Sequence, residues 1–332
     1  MTLHELLAAF PERVRQAFFV GIREIQDQAQ INELVRALER GDVQGAVDIL
    51  YVEEAAFREF QETLEQGYAD GGAAQIADLG RLEDQEGNRF VFRFSTRNPR
   101  AEHIIREYSS QRITAIVEDQ RQAVRQSLEE GLSRGQNPRA TALDVVGRIE
   151  RRSQRRRGGI IGLSAQDERA VSSARRELEG GEFSSYLRRD RRDRRFDATI
   201  RNAIREGRPL TRTQIQRLTG RYSDRLLKLR GETIARTETL SALNMGRFQA
   251  IEQLIDTGKV RRQDVTLVWN AAKDLRTRDT HRALNGESVK FGEAFVSPRG
   301  ARLRYPGDPQ APASEIVNCR CNLRVRVDYR AN

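Results

Sequence analysis

Three side chains near the end of the sequence have the chemistry of metal ligands. His281 lies in a dense polar run, and Cys319 and Cys321 follow it, separated from each other by one residue. Zinc sites normally use four ligands, most often cysteines and histidines, so this set is incomplete. Asp274 or Asp279 could complete it, and on a strand Asp279 and His281 would lie on the same face.

Two interpretations of this stretch are open. One is a metal-dependent nuclease or effector enzyme that uses His281 with the two aspartates and the two cysteines, while neighbouring arginines hold a phosphate. The other is a structural hydrogen-bond network that stabilises a small domain with a thin apolar core. The members of this predicted polar cluster are Arg236, Glu238, Asn244, Asp274, Arg276, Arg278 and His281.

We favour the structural network. The sequence contains no Ser/His/Asp or Cys/His arrangement with a recognisable base, no glycine-rich phosphate loop and no paired-carboxylate motif. We therefore predict no enzymatic activity, no catalytic residues, no cofactor and no bound metal. A metal held by His281, Cys319 and Cys321 is the alternative.

A long helix precedes these residues. Between Glu232 and Asp256 apolar residues recur at helical spacing, and Gly258 supplies a C-terminal stop. Thr237, Ser241 and Asn244 form a polar line beside the apolar stripe. We expect this line to dock another element through hydrogen bonds.

Short strands follow the helix. The composition of Val265 to Trp269 predicts a strand, Asn285-Gly286 is suited to a hairpin turn, and Val289 to Phe291 predicts the returning strand. Leu323 to Val327 alternates strictly, which predicts a strand with one buried face. The end of the chain is therefore predicted to be a small α/β or α+β module that follows one long helix.

Several motifs in this part of the chain occur together and in a defined order. They are RTETLSALNMGR from Arg236, W-x4-D-x-R-T-R-D-x-H-x2-L-N-G from Trp269, YPGDP from Tyr305 and NCRC from Asn318. Together they resemble the head-morphogenesis domain of tailed-phage minor head proteins, the phage Mu F-like group. Many relatives are expected to carry a histidine before Cys-Arg-Cys, whereas Ser314 to Asn318 contain none, which argues against carrying over a metal site.

The resemblance implies a minor virion component that acts in head assembly. Its expected partners are the portal protein, the capsid interior and double-stranded DNA bound nonspecifically through its backbone, together with self-association. The expected location is the head interior or portal vertex of the virion, and the host cytoplasm during assembly, with no membrane in the assembled head. An influence on DNA packaging or ejection would follow from this position.

Composition favours a helix-rich chain with two charge regions. The net charge is +10, yet residues 1–100 contain 11 Arg and 18 acidic residues, a net of −7, so the remainder carries +17. We predict a mainly α fold with an extended multi-helix region and the small C-terminal module. The expected segments are an acidic helical region with a short β element at 1–98, an Arg-rich helical region at 99–230, and the Mu F-like domain at 231–332.

Two arginine runs in the middle segment are candidate contacts to the DNA backbone. The first run comprises Arg151, Arg152, Arg155, Arg156 and Arg157, and the second comprises Arg188, Arg189, Arg191, Arg192, Arg194 and Arg195. Neither is interleaved with aromatic residues, so base stacking is not indicated. A solvated helix face, or docking onto an acidic protein surface, is the alternative for both runs. A nonspecific DNA-binding protein without a role in the particle is a third functional hypothesis.

Other local patterns complete the sequence-based expectations. Gly67 to Gly72 is predicted to break a helix, Phe90, Phe92 and Phe94 to form a short strand, and the stretch from Arg100 to form a helix of nearly 30 residues. No apolar run approaches the roughly 20 residues of a membrane span. The N-terminus does not have the pattern of a signal peptide, and the cysteine usage fits a reducing compartment, so an intracellular chain is expected.

Overall fold

The structure is a computed structural model that describes residues 1–151 and 153–329. It is mainly α-helical, with short strands that form small antiparallel sheets. The α-helices are α1 (Leu3–Gln28), α2 (Ile31–Glu39), α3 (Val43–Ile49), α4 (Arg58–Leu79), α5 (Pro99–Ser133), α6 (Pro138–Val146), α7 (Ala165–Glu179), α8 (Phe183–Leu187), α9 (Asp197–Arg205), α10 (Arg212–Asp256), α11 (Asp279–Ala283) and α12 (Ala313–Ile316). The strands are β1 (Leu82–Glu83), β2 (Arg89–Phe90), β3 (Arg148–Ile149), β4 (Arg156–Arg157), β5 (Val265–Asn270), β6 (Ser288–Lys290), β7 (Phe295–Val296), β8 (Arg302–Leu303) and β9 (Asn322–Val327), and single 3-10 turns lie at Glu54–Phe57, Arg194–Phe196 and Arg262–Asp264.

The chain divides into two compact units. Unit 1 consists of Met1–Ala17, Phe60–Ser110 and Glu232–Asn332, and unit 2 consists of Phe18–Glu59 and Gln111–Gly231. This grouping differs from the three consecutive segments expected at 1–98, 99–230 and 231–332. Helices α1, α5 and α10 each contribute residues to both units, so segments distant in sequence belong to one unit. The expected boundary at 230/231 lies beside a boundary between units.

Within unit 1, α4 packs closely against the C-terminal half of α10 through glycines. A methyl group at Gly246 would overlap the carbonyl oxygen of Tyr68, and one at Gly71 would overlap that of Leu243. The predicted helix break at Gly67 to Gly72 was wrong, since α4 continues through this stretch. The glycines cost helix propensity but permit a backbone approach that larger residues would prevent.

The C-terminal module of unit 1 contains a three-stranded antiparallel sheet in the order β6-β5-β9. The predicted strands at Val265, Val289 and Leu323 are confirmed. Alternate residues of the central strand β5 are buried. Between β5 and β6 the chain forms α11 and then turns at Gly286, whose φ of 84° lies in the left-handed region.

The predicted phenylalanine strand is present only in part. Strand β2 ends at Phe90 and pairs with β1. Phe94 instead packs edge-on against Tyr68, with 5.6 Å between ring centroids. This aromatic contact within unit 1 uses the side chain without extending the strand.

Unit 2 is built around a helical core. Its apolar cluster includes Ile160, Leu163, Val171, Tyr186, Ile200, Leu218 and Leu226. Strands β3 and β4 form a hairpin in which Arg148 pairs with Arg157 and Ile149 with Arg156. The described arginines of the first run therefore lie on strand β4 (Arg156 and Arg157) or between the two strands (Arg151 and Arg155).

The long helix predicted from Arg100 is confirmed as α5. Across the described ranges, no helix combines the length and apolar character that crossing a membrane requires.

Candidate functional site

His281, Cys319 and Cys321 converge in unit 1. His281 lies on α11, and the cysteines lie on the segment that leads from α12 into β9. Nδ1 of His281 is 3.5 Å from Sγ of Cys319 and 3.4 Å from Sγ of Cys321. Within the described part of the chain these are the His, Cys, Asp and Glu side chains grouped closely enough to hold a metal, and their donor atoms all lie within 4.8 Å of one another.

A left-handed residue precedes the cysteines. Asn318 has a φ of 57°, a conformation that asparagine tolerates better than most residues. Its backbone amide donates to Oγ1 of Thr237 at 3.0 Å, and its Oδ1 accepts from Arg236 at 3.0 Å. Helix α10 thus holds the turn from which Cys319 and Cys321 reach His281.

Glu315 lies on the other side of the imidazole. Its Oε2 is 3.0 Å from Nε2 of His281, and both side chains are almost fully buried. Thr280 donates to Oε2 at 2.9 Å, and Ser297 donates to Oε1 at 3.3 Å. Two hydroxyl groups therefore orient the carboxylate towards the ring.

The two thiols differ in acidity. The hydrogen bond from Cys319, assisted by His281 and the backbone of Ala272, outweighs burial and lowers the pKa of Cys321 to about 4. The same contact between the sulfur atoms, together with burial, raises the pKa of Cys319. The contact between the two sulfur atoms therefore favours deprotonation of Cys321 over that of Cys319.

Trp269 packs against the histidine and against a second aromatic ring. The Trp269 ring meets His281 edge-on at 5.0 Å between centroids and Phe295 at 5.3 Å. His281 is 1% exposed, and each cysteine is 2% exposed. The site is thus shielded from solvent.

The aspartates considered as further ligands point elsewhere. Asp274 forms an ion pair with Arg320 at 2.6 Å, and Asp279 forms one with Arg282 on the surface. The strand expected to place Asp279 beside His281 was wrong, because these residues form α11. Side chains two residues apart on a helix point to different faces. Asp279 is therefore exposed, whereas His281 is buried.

The other members of the predicted polar cluster make separate contacts. Glu238 accepts from the hydroxyl of Tyr108, and Arg278 donates to the carbonyl of Val317. The backbone amide of Arg276 donates to Asp274 at 2.9 Å. The structure therefore distributes these residues over several contacts within unit 1.

The polar line on α10 docks the C-terminal loops, as expected. Besides the bond from Asn318 to Thr237, Ser241 donates to the carbonyl of Gly307 at 2.8 Å. Asn244 donates to the carbonyl of Pro306 at 2.8 Å. These bonds hold the YPGDP and NCRC motifs on one helix face.

The first arginine run has an exposed part and a paired part. Arg151 and Arg155 are exposed, and Arg152 lies outside the described residues. Arg156 donates to the carbonyl of Gly147 at 3.1 Å, and Arg157 lies 3.7 Å from Glu150.

In the second run, two arginines are committed to internal ion pairs. Arg189 pairs with Glu177 at 2.7 Å, and Arg192 pairs with Asp197 at 2.8 Å, with all four side chains less than one-fifth exposed. The exposed arginines of this run are Arg188, Arg191, Arg194 and Arg195, of which Arg195 pairs with Asp193 at 2.7 Å. The run is therefore partly structural, and its outer residues are available to a partner.

Sequence reasoning missed Glu315, Thr280 and Ser297. The only signal for Glu315 was a carboxylate shortly before the Cys-Arg-Cys motif. Thr280 and Ser297 gave no signal, since hydroxyl residues are common in loops and turns.

The fold and the site define a mainly helical protein whose C-terminal α/β module is fastened to one long helix. Residues 195–324 match the family described as Phage Mu protein F like protein. This match confirms the resemblance inferred from the motifs for this part of the chain.

The chain is also similar to the protein named Minor head protein GP7 of Bacillus phage SPP1. The two are 34% identical over 94 residues, which cover 28% of this chain and 29% of that relative. No solved structure shows significant similarity to the chain.

Proposed function

We propose that this chain is a minor structural protein of a tailed-phage head that associates with the portal vertex and with packaged DNA. The observation that carries the proposal is the Mu F-like match of residues 195–324, supported by the similarity to a minor head protein. Its place is the virion, in the head interior or at the portal vertex, after assembly in the host cytoplasm.

The charge distribution supports two different partners. The first 100 residues carry a net charge of −7 and the rest carry +17. Protein-protein contact with the portal and capsid interior suits the acidic part, and polyanionic DNA suits the basic part. A protein that contacts both would be placed to influence DNA packaging or ejection.

Exposed arginines support contact with the DNA backbone. Arg151 and Arg155 project from the hairpin of unit 2, and Arg188, Arg191 and Arg194 are exposed in the second run. Phosphate contacts of this kind carry no base sequence information, so binding would be nonspecific.

A structural role is favoured over catalysis. A catalytic metal site keeps a position open to substrate, whereas His281 and both cysteines are at most 2% exposed. The exposed Asp274 and Asp279 do not join them. Purified chain is expected to leave duplex DNA intact with Mg²⁺, Mn²⁺ or Zn²⁺, and cleavage abolished by His281→Ala would favour a nuclease instead.

Quantitative mass spectrometry of purified mature particles tests the proposal directly. Copies of this chain would be counted against the portal and major capsid proteins of the same particles. We expect a low, fixed copy number that follows the portal, and loss of this chain from heads assembled without portal. Absence from particles, or a copy number that follows the major capsid protein, would contradict portal association.

A further inference from the structure

We propose that His281, Cys319 and Cys321 bind one Zn²⁺ through Nδ1 and two thiolates, and that Glu315 orients the histidine from the opposite side. This proposal takes up the alternative of a metal held by His281, Cys319 and Cys321 in place of the expectation of no bound metal. It is independent of the role in head assembly, because it depends only on contacts within unit 1.

The two nitrogen–sulfur separations match a tetrahedral zinc site. Zn–S bonds of about 2.3 Å and Zn–N bonds of about 2.05 Å at a tetrahedral angle separate nitrogen from sulfur by about 3.6 Å. The observed separations are 3.5 and 3.4 Å. Both edges are therefore close to the required length, and a metal could enter with small side-chain adjustments.

The surroundings of His281 match those of a metal ligand. A histidine that binds metal through one nitrogen usually directs its other N–H to a carboxylate, which sets the tautomer and the ring orientation. Here Nδ1 faces the thiols, and Nε2 lies 3.0 Å from Oε2 of Glu315. The present angle does not make this contact a hydrogen bond, and a small rotation of the ring on metal binding would form it. Glu315 is itself held by Thr280 and Ser297, so the orienting group is fixed.

The donor set selects the metal. Two thiolates and one imidazole are soft and intermediate ligands that suit Zn²⁺, whereas Mg²⁺ and Ca²⁺ prefer oxygen. No fourth His, Cys, Asp or Glu joins the group within residues 1–151 and 153–329. We assign the fourth position to a water molecule buried with the ion. Unlike the open position of a catalytic zinc site, it is closed to substrate, because the three protein ligands are at most 2% exposed.

The metal would connect strand β9 to the rest of the C-terminal module. Cys321 directly precedes β9, and His281 lies on α11 between β5 and β6. One ion would therefore connect the beginning of β9 to the β5–β6 connection. Such a crosslink would stabilise the C-terminal module, since metal binding to the folded state adds directly to the stability of that state.

Metal analysis of the full-length chain, purified with a reductant and without chelator, tests the site. We expect about one zinc per chain by elemental mass spectrometry. After replacement by Co²⁺, we expect thiolate-to-cobalt charge transfer and the intense d–d bands of tetrahedral coordination. His281→Gln, Cys319→Ser and Cys321→Ser should each lose the metal, whereas the control His103→Gln should keep it, because His103 is exposed on α5.

Glu315→Gln tests the orienting role separately. Loss of an outer carboxylate typically weakens metal binding by about 10- to 100-fold. Competition with a chromophoric chelator should show this loss while the cobalt spectrum keeps its tetrahedral thiolate form. Unchanged affinity would overturn the role of Glu315 but not the three ligands.

If a variant fails to fold, measurements on the wild-type chain still test whether the site binds zinc. Zn²⁺ should protect both thiols from a thiol reagent and raise the unfolding temperature, and a chelator should reverse both effects. A folded, reduced wild-type chain that binds neither Zn²⁺ nor Co²⁺ would overturn the proposal. The chain could also be isolated with Cys319 and Cys321 joined as a disulfide. Failure to bind metal after that disulfide is reduced would also overturn the proposal.

Discussion

Asn244 and Arg247 connect segments that are distant in the sequence. Asn244 donates to the carbonyl of Pro306 and accepts from Arg247 at 3.3 Å. Arg247 also donates to Gln75 at 3.0 Å and to Asn322 at 2.6 Å. Burial lowers the pKa of Arg247 to about 10, because removing a charged group from water costs free energy. The hydrogen bonds to Gln75, Asn244 and Asn322 offset this cost.

Replacing Asn244 tests the docking of the C-terminal loops at residue scale. Asn244→Ala leaves the Pro306 carbonyl and part of the Arg247 guanidinium without their partner. We expect a loss of about 1–3 kcal/mol in the free energy of unfolding, measured by urea denaturation.

The control for Asn244 is Gln66→Ala on α4, also in unit 1. Gln66 is exposed and bonds to Asp70 at 2.7 Å. Its replacement should change stability by no more than about 0.5 kcal/mol. Equal effects of the two substitutions would show that the Asn244 contacts do not stabilise the module.

At the scale of elements, the C-terminal half of α10 organises unit 1. One face approaches α4 at Gly246, and another docks the loops through Thr237, Ser241 and Asn244. The apolar stripe buries Phe248, whose ring stacks on Phe291 at 4.5 Å. Sheet, loops and α4 thus all depend on the geometry of one helix.

Gly246→Ala tests the close approach of α4 and α10. Alanine favours a helix over glycine by about 0.5–1 kcal/mol. The added methyl group would overlap the carbonyl oxygen of Tyr68, a backbone atom that cannot rotate away. We expect the overlap to outweigh the gain in helix propensity, so that the free energy of unfolding falls by about 1–3 kcal/mol or more. Thermal or chemical unfolding measures this change.

Gly220→Ala is the matched control in the same helix. Its added methyl would meet the Cα of Gly158 at 3.3 Å, a tight approach that a small shift of the neighbouring loop would relieve. We expect this variant to be neutral or slightly stabilised. A Gly246→Ala protein at least as stable as Gly220→Ala would refute close packing at Gly246.

At the scale of the whole molecule, charge is unevenly distributed, with a net of −7 over residues 1–100 and +17 over the rest. The outer arginines of the second run add exposed positive charge, while Arg189 and Arg192 hold unit 2 together through Glu177 and Asp197. A test of DNA binding must therefore spare the paired arginines, because their loss would leave buried carboxylates uncompensated.

Neutralising Arg188, Arg191 and Arg194 to glutamine tests the DNA interaction. We expect weaker binding to duplexes of unrelated sequence. The slope of log affinity against log salt should fall by about 0.9 for each phosphate that the variant no longer neutralises. Fluorescence anisotropy across a salt series measures both quantities.

A second triple variant controls for net charge. Arg36, Arg40 and Arg58 are exposed and lie in the acidic N-terminal part. Converting them to glutamine removes the same charge and should leave the salt slope nearly unchanged. Equally weakened binding in the two variants would indicate a dependence on net charge alone and contradict a local DNA-binding surface.

Local pattern alone predicted much of the secondary structure and the resemblance of residues 195–324 to a known family. Helical spacing predicted the course of α5 and the end of α10, and strand composition predicted β5, β6 and β9. These predictions succeeded because the periodicity of apolar residues reflects which face of an element is buried. The ordered motifs identified the Mu F-like segment, and the polar line on α10 was recognised as a docking face.

Only the tertiary structure decided which residues meet. Gly67 to Gly72 remain helical in a packed environment that local propensity does not contain: Gly67 faces Phe10, Gly71 faces Leu243 of α10, and Gly72 faces Phe94. Asp279 turns away from His281 because the stretch is a helix, and Glu315 reaches the imidazole through a loop that no periodicity describes. A ligand set drawn from separate segments depends on distances through space, so the sequence supplied the histidine and cysteines while the fold supplied their geometry.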